Sequence, residues 1–99
     1  LEAGMITTDE PGVYIAGSHG IRIENELVCR KGEANEYGQF MYFEPLTFAP
    51  IDLDAIDVNQ LTAVDKKRLN AYHKLVFDTV SPYLTEEEAA WLKKYTAEV

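Results

Sequence analysis

Glu10 stands directly before Pro11-Gly12, and Arg22 lies two residues before Glu24 in a run of isoleucines. A proline pushes the residue before it into extended geometry, and the glycine after it lets the chain turn closely. Glu10 is thereby held on stiff backbone, as a metal ligand or a catalytic carboxylate has to be. The same pattern would also serve a plain strand-entry turn. Arg22 and Glu24, two apart on a strand, point to one face. If that face lines a cleft, Glu24 is a ligand or base, and Arg22 orients a carboxylate or a substrate oxygen; on open surface they are a modest ion pair. Two glutamates from neighbouring strands can bridge a pair of divalent cations, because carboxylates are hard oxygen ligands. A dinuclear centre needs further carboxylates or imidazoles, and the chain offers few.

The remaining reactive side chains read as structural. His19 sits in the glycine-rich stretch Ala16 to Gly20, where a solvated loop histidine is the expectation. His73 falls beside Tyr72 at the edge of a helical apolar stripe, where packing is expected. Glu44 precedes Pro45 and is a third candidate carboxylate, but its strand reads as covered on both faces, which suits a buried structural acid. Cys29 alternates onto one face with Ile21, Ile23 and Leu27, as a buried thiol. Lys66-Lys67-Arg68 reads as a solvated helix face, and no glycine-rich phosphate loop is present.

The elements that must carry these residues change texture along the chain. From Met5 to Ile51, β-branched and aromatic residues with glycine and proline punctuation predict strands at residues 5–8, 13–16, 20–30 and 39–49. Turns are predicted at 16–20 and 31–38. Phe40 to Phe43 is apolar on both faces, so that strand is expected to be covered on both sides. Short connections favour antiparallel pairing. After a connector the period becomes helical. Leu69, Tyr72, Val76, Phe77 and Val80 form a stripe, Thr62 is a good N-cap, and Ser81-Pro82 ends the helix. Thr85 with Glu88 predicts a capping box for a second helix, with acidic Glu86 to Glu88 at its start, Lys93 and Lys94 toward its end, and Trp91 as an anchor. The fold class is therefore α+β: antiparallel strands over residues 1–51, then a connector and two helices over 52–99.

Bulk properties bound the function. Ninety-nine residues make one small domain or part of a larger one. Seventeen acidic against nine basic residues give a net charge of −8, which argues against nucleic acid and anionic membranes as partners. One cysteine makes no internal disulfide, so a reducing cytoplasm is the default. No apolar run reaches the roughly 18 residues a membrane helix needs. The opening Leu-Glu-Ala-Gly reads as a segment already in mid-fold, so an excised portion of a longer chain is expected.

Together, Glu10 to Tyr14, His19 to Val28, Phe43 to Asp57 and Leu69 to His73 resemble the C-terminal end of a Xaa-Pro aminopeptidase (aminopeptidase P) of the long, cytosolic type. These enzymes belong to the pita-bread metallopeptidases, with prolidase, methionine aminopeptidase and creatinase. The resemblance implies that the strands close a pita-bread catalytic domain. It implies that Glu10 and Glu24 are metal ligands, Glu24 bridging two ions. Glu10 is also implied as general base, and Arg22 as support for the active-site hydrogen bonds. Two aspartates and a histidine, earlier in such chains, complete the ligand set. The implied reaction is hydrolysis of the bond between an N-terminal residue and a following proline, with two divalent ions, usually manganese. A homodimeric parent is implied, and this portion alone is expected to be inactive and to bind no metal. The alternatives are a pita-bread module that has become a non-catalytic binding protein, and a prolidase-like dipeptidase.

Overall fold

The computed structural model describes residues 1–99 as two compact units, Leu1–Thr47 and Phe48–Val99. The first is all β. Strands β1 (Ile6–Asp9), β4 (Asn25–Asn35) and β5 (Gly38–Pro45) form an antiparallel sheet in the order β1-β4-β5. Strands β2 (Gly12–Ile15) and β3 (His19–Arg22) form a separate antiparallel hairpin. Gly17 closes that hairpin with a φ of 72°, in the left-handed region open to glycine.

Several expectations for this unit need correction. The long strand expected over 20–30 breaks at Ile23 and Glu24, leaving β3 and β4 in different sheets. The turn expected over 31–38 shrinks to Glu36-Tyr37, where the Asn35 carboxamide accepts the Tyr37 N–H at 2.9 Å. The residues before it continue β4 through a bulge: Lys31 pairs with Met41 and Ala34 with Gln39, so β4 carries one extra residue there. The Gln39 amide fills the bulge, donating to the Gly32 and Phe40 carbonyls at 2.9 and 2.8 Å. Composition marked this stretch as turn-like because a glycine in a polar run is also what a bulge uses. Thirdly, Val28 and Cys29 are both buried, although alternation put Val28 on the polar face. Successive strand residues face opposite ways, so β4 is covered on both faces at this point. The double coverage expected for Phe40 to Phe43 is absent, and these side chains remain 37–53% exposed.

The second unit is helical. Two short 3-10 turns, Leu53–Ala55 and Val58–Gln60, are capped by the carboxylates of Asp52 and Asp57. Helix α1 (Ala63–Val80) starts at Thr62, as expected, with Asp65 completing a capping box. It ends at Ser81, where Pro82 prevents continuation. Helix α2 (Glu86–Tyr95) starts with the Thr85–Glu88 capping box, its first turn acidic and its last turn basic. Val76 and Leu92 are the buried aliphatics, each worth about 1.5–3 kcal/mol of burial. Trp91, expected as the anchor, is 58% exposed and tilts over Tyr95 instead. No helix is long and apolar enough to cross a membrane.

Candidate functional site

The break between β3 and β4 gathers the candidate residues. The β1–β4 ladder closes with Asp9 opposite Asn25, and the β2–β3 ladder begins with Gly12 opposite Arg22. Between them both segments step from one sheet to the other, held in register by the Ile23 N–H donating to the Pro11 carbonyl at 3.1 Å. Glu10 lies on one side of the step and Glu24 on the other. Pro11 suits it, since a residue outside both ladders needs no N–H.

Arg22 joins the two glutamates. Its Nε lies 2.9 Å from Oε2 of Glu24, and its Nη1 lies 4.0 Å from Oε2 of Glu10. The Thr8 hydroxyl donates to Oε1 of Glu10 at 3.2 Å, fixing that carboxylate from its own strand. Glu24 raises the pKa of the guanidinium, and the neighbouring Tyr14 phenol adds to this. The three charged side chains keep a third to a half of their surface open, so the cluster faces outward.

Tyr14 was not foreseen. Its ring lies across Gly12 and Gly20: a β-carbon on Gly12 would stand 2.6 Å from the phenol oxygen, and one on Gly20 would stand 2.7 Å from Cδ1. Gly20 is opposite Tyr14 in the ladder, and Arg22 follows on the same face. The two glycines thus leave room for an aromatic ring whose hydroxyl reaches Arg22. Their spacing around a tyrosine was the available signal, and it shows only once the register is known.

Other candidates stand apart from these contacts. His19, at the start of β3, is exposed, with Nδ1 2.9 Å from the Ser18 hydroxyl. Glu44 is half-exposed and pairs with Arg30 across the β4–β5 ladder, rather than being buried as expected. Cys29 is buried and free, as expected. Lys67 and Arg68 lie on the solvated face of α1.

Glu10 and Glu24 supply oxygen donors of the kind divalent cations prefer. Nowhere does the chain group three or more histidine, cysteine, aspartate or glutamate side chains that could hold a metal ion. The pair therefore fits a divalent centre in kind and supplies part of its ligand set, since even the smallest common sites use about four ligands.

Residues 39–99 match the family profile described as the C-terminal region of peptidase M24. The chain belongs to this family. Among curated M24 relatives, aminopeptidase P1 of Arabidopsis thaliana is 40% identical over 102 residues, covering all of this chain and 16% of that protein. A probable Xaa-Pro aminopeptidase P of Coprinopsis cinerea is 39% identical over 104 residues, covering all of this chain and 17% of that protein. The chain thus spans about a sixth of these relatives. Among solved structures it superimposes on X-prolyl aminopeptidase from Caenorhabditis elegans, described as a cytosolic enzyme with a di-nuclear active site. The TM-score is 0.87 at 30% identity, covering all of this chain and 17% of that one. The α+β arrangement of antiparallel strands followed by two helices is that of the C-terminal part of this enzyme.

Proposed function

We propose that this M24 chain is the C-terminal part of a metal-dependent enzyme that hydrolyses the bond between an N-terminal residue and a following proline. The observation that carries the reading is the placement of Glu10 and Glu24 on either side of Arg22, which pairs with each, at the step between two sheets. Residues 1–51 would close the catalytic sheet, and 52–99 would form its helical extension. Glu10 and Glu24 would hold two divalent ions, with manganese the first candidate, and earlier residues would supply the other ligands. When bound, such ions lower the pKa of the attacking water and stabilise charge on the peptide carbonyl oxygen. Glu10 takes the proton that the water gives up, with Thr8 fixing its other oxygen. Arg22 positions Glu24 through a short charge-assisted contact, beside the Tyr14 phenol. The cytosolic description of the C. elegans relative supports a cytoplasmic enzyme, and a homodimeric parent is part of the same reading.

The test is hydrolysis of paired peptides, one with proline and one with alanine at the second position, by the longer protein containing this chain. Cleavage of the proline peptide alone, abolished by chelation and restored by manganese, is the expected result. Cleavage of neither peptide would favour a non-catalytic module, and cleavage confined to dipeptides would favour a prolidase-like enzyme.

A further inference from the structure

One turn of α1 holds two distant segments of the helical unit. The Tyr72 hydroxyl donates to the Ala49 carbonyl at 2.7 Å, and His73 Nε2 accepts the Ile51 N–H at 3.0 Å. Asn70 grips the other end of the unit: its Oδ1 accepts the Val99 N–H at 3.0 Å, and its Nδ2 donates to the Val99 main-chain oxygen at 3.3 Å. His73 is the centre of this arrangement. It has no exposed surface, and Ala97 acts on it through its backbone from the C-terminal side.

The direction of the Ile51 bond fixes the chemistry. A ring nitrogen that accepts from an N–H carries no proton, so the single imidazole proton sits on Nδ1. Nδ1 makes no hydrogen bond of good geometry. A second proton would set Nε2–H against the Ile51 N–H and place a cation in a site closed to water. Burial already holds the His73 pKa below its usual value, partly opposed by the Ala97 and Ile51 backbones, although the Ile51 N–H itself can bond only an unprotonated Nε2. No ionised side chain relieves this. On α1, Lys74 pairs with Asp78 and is exposed, while the Tyr72 hydroxyl is engaged on Ala49. In the connector, Asp52 is taken up capping Asp54; on the C-terminal side, Lys93, Lys94 and Glu98 are exposed.

We propose that Tyr72 and His73 form a proton-released latch, in which protonation of His73 frees residues 49–51 from α1. The sign follows from linkage. A histidine whose folded pKa is depressed stabilises the latch fully above its unfolded value near 6.5. That stability is lost as the pH falls below this value and through the folded pKa. The helix caps stay closed over this window, because hydrogen bonds from Thr62 and Thr85 hold the Asp65 and Glu88 carboxyls below the usual carboxylate range.

Amide hydrogen exchange and imidazole nitrogen shifts of the longer protein containing this chain, followed by NMR from about pH 8 to about pH 5, test the latch. After correction for intrinsic rates, opening at Ile51 should rise by up to about thirty-fold over this range, the increase in protonation of a free histidine. The Lys66 amide, inside the α1 cap, should not respond. His73→Gln, which keeps an acceptor without a titrating group, should abolish the pH response at Ile51. A His73 that titrates near 6.5 while Ile51 keeps its protection would overturn the proposal. So would an unchanged response in His73→Gln. If that variant does not fold, the wild-type titration decides by itself.

Discussion

Gly12 and Gly20 both lie under the Tyr14 ring, yet alanine at the two positions should behave differently. A β-carbon at Gly20 meets Cδ1 of Tyr14 at 2.7 Å, whereas its nearest backbone neighbour, the Val13 carbonyl, is at an ordinary 3.5 Å. Only the ring has to move. A β-carbon at Gly12 meets the phenol oxygen at 2.6 Å and also the Ile21 carbonyl at 3.0 Å, which belongs to the paired strand and does not yield cheaply. Overpacking costs about 1–3 kcal/mol, while replacing a strand glycine by alanine otherwise gains about 0.5–1 kcal/mol. Gly20→Ala alone should therefore weaken the hairpin or leave it nearly unchanged. Combined with Tyr14→Ala it should strengthen the hairpin relative to Tyr14→Ala alone, a coupling of about 1–3 kcal/mol. Gly12→Ala should stay destabilising in both backgrounds. Exchange of the Ile23 amide, which donates to Pro11 at the mouth of the hairpin, reads the effect; about 1.4 kcal/mol is tenfold in protection. Additivity of Gly20→Ala with Tyr14→Ala within about 0.5 kcal/mol would show that the ring does not occupy the space the glycines leave.

Two further outcomes are expected of the chain. Phe40, Met41, Tyr42 and Phe43 are 37–53% exposed on a strand at the edge of its sheet, so the 99-residue chain should self-associate as its concentration rises; a single monomeric species throughout a sedimentation series would contradict this. With only Glu10 and Glu24 as donors, the chain should bind manganese no better than an acidic protein in general, and a calorimetric site tighter than about micromolar would show the ligand set to be larger than two.

The helical half was legible because its signals are local. Thr62, Ser81 and the Thr85–Glu88 pair sit within a few residues of the backbone groups they cap, so sequence spacing alone placed both helix starts and the end of α1. The strand half was legible in type and less so in extent. A step between sheets at Ile23-Glu24 and a bulge at Gly32-Glu33 depend on which strand pairs with which, and alternation carries no information about pairing. Glu10, Arg22 and Glu24 stood out because proline, glycine and an Arg-x-Glu spacing constrain backbone and charge locally. Tyr14 did not, since its contact with Arg22 passes across a ladder. His73 was read as packing because a stripe of apolar neighbours says nothing of a backbone N–H arriving from Ile51, 22 residues away.

The central claim is that Glu24 is a metal ligand positioned by Arg22. The direct measurement is metal content and Xaa-Pro hydrolysis, determined in parallel for the longer protein containing this chain and carrying Glu24→Gln, Arg22→Lys or His19→Ala. Glu24→Gln keeps the shape and removes the charge, so bound metal and turnover should fall together. Arg22→Lys keeps the charge and loses the planar fork that reaches both glutamates, so turnover should fall more than metal content. His19→Ala, in an exposed position apart from the cluster, should leave both near wild type. Full metal content and full turnover in Glu24→Gln would contradict the account.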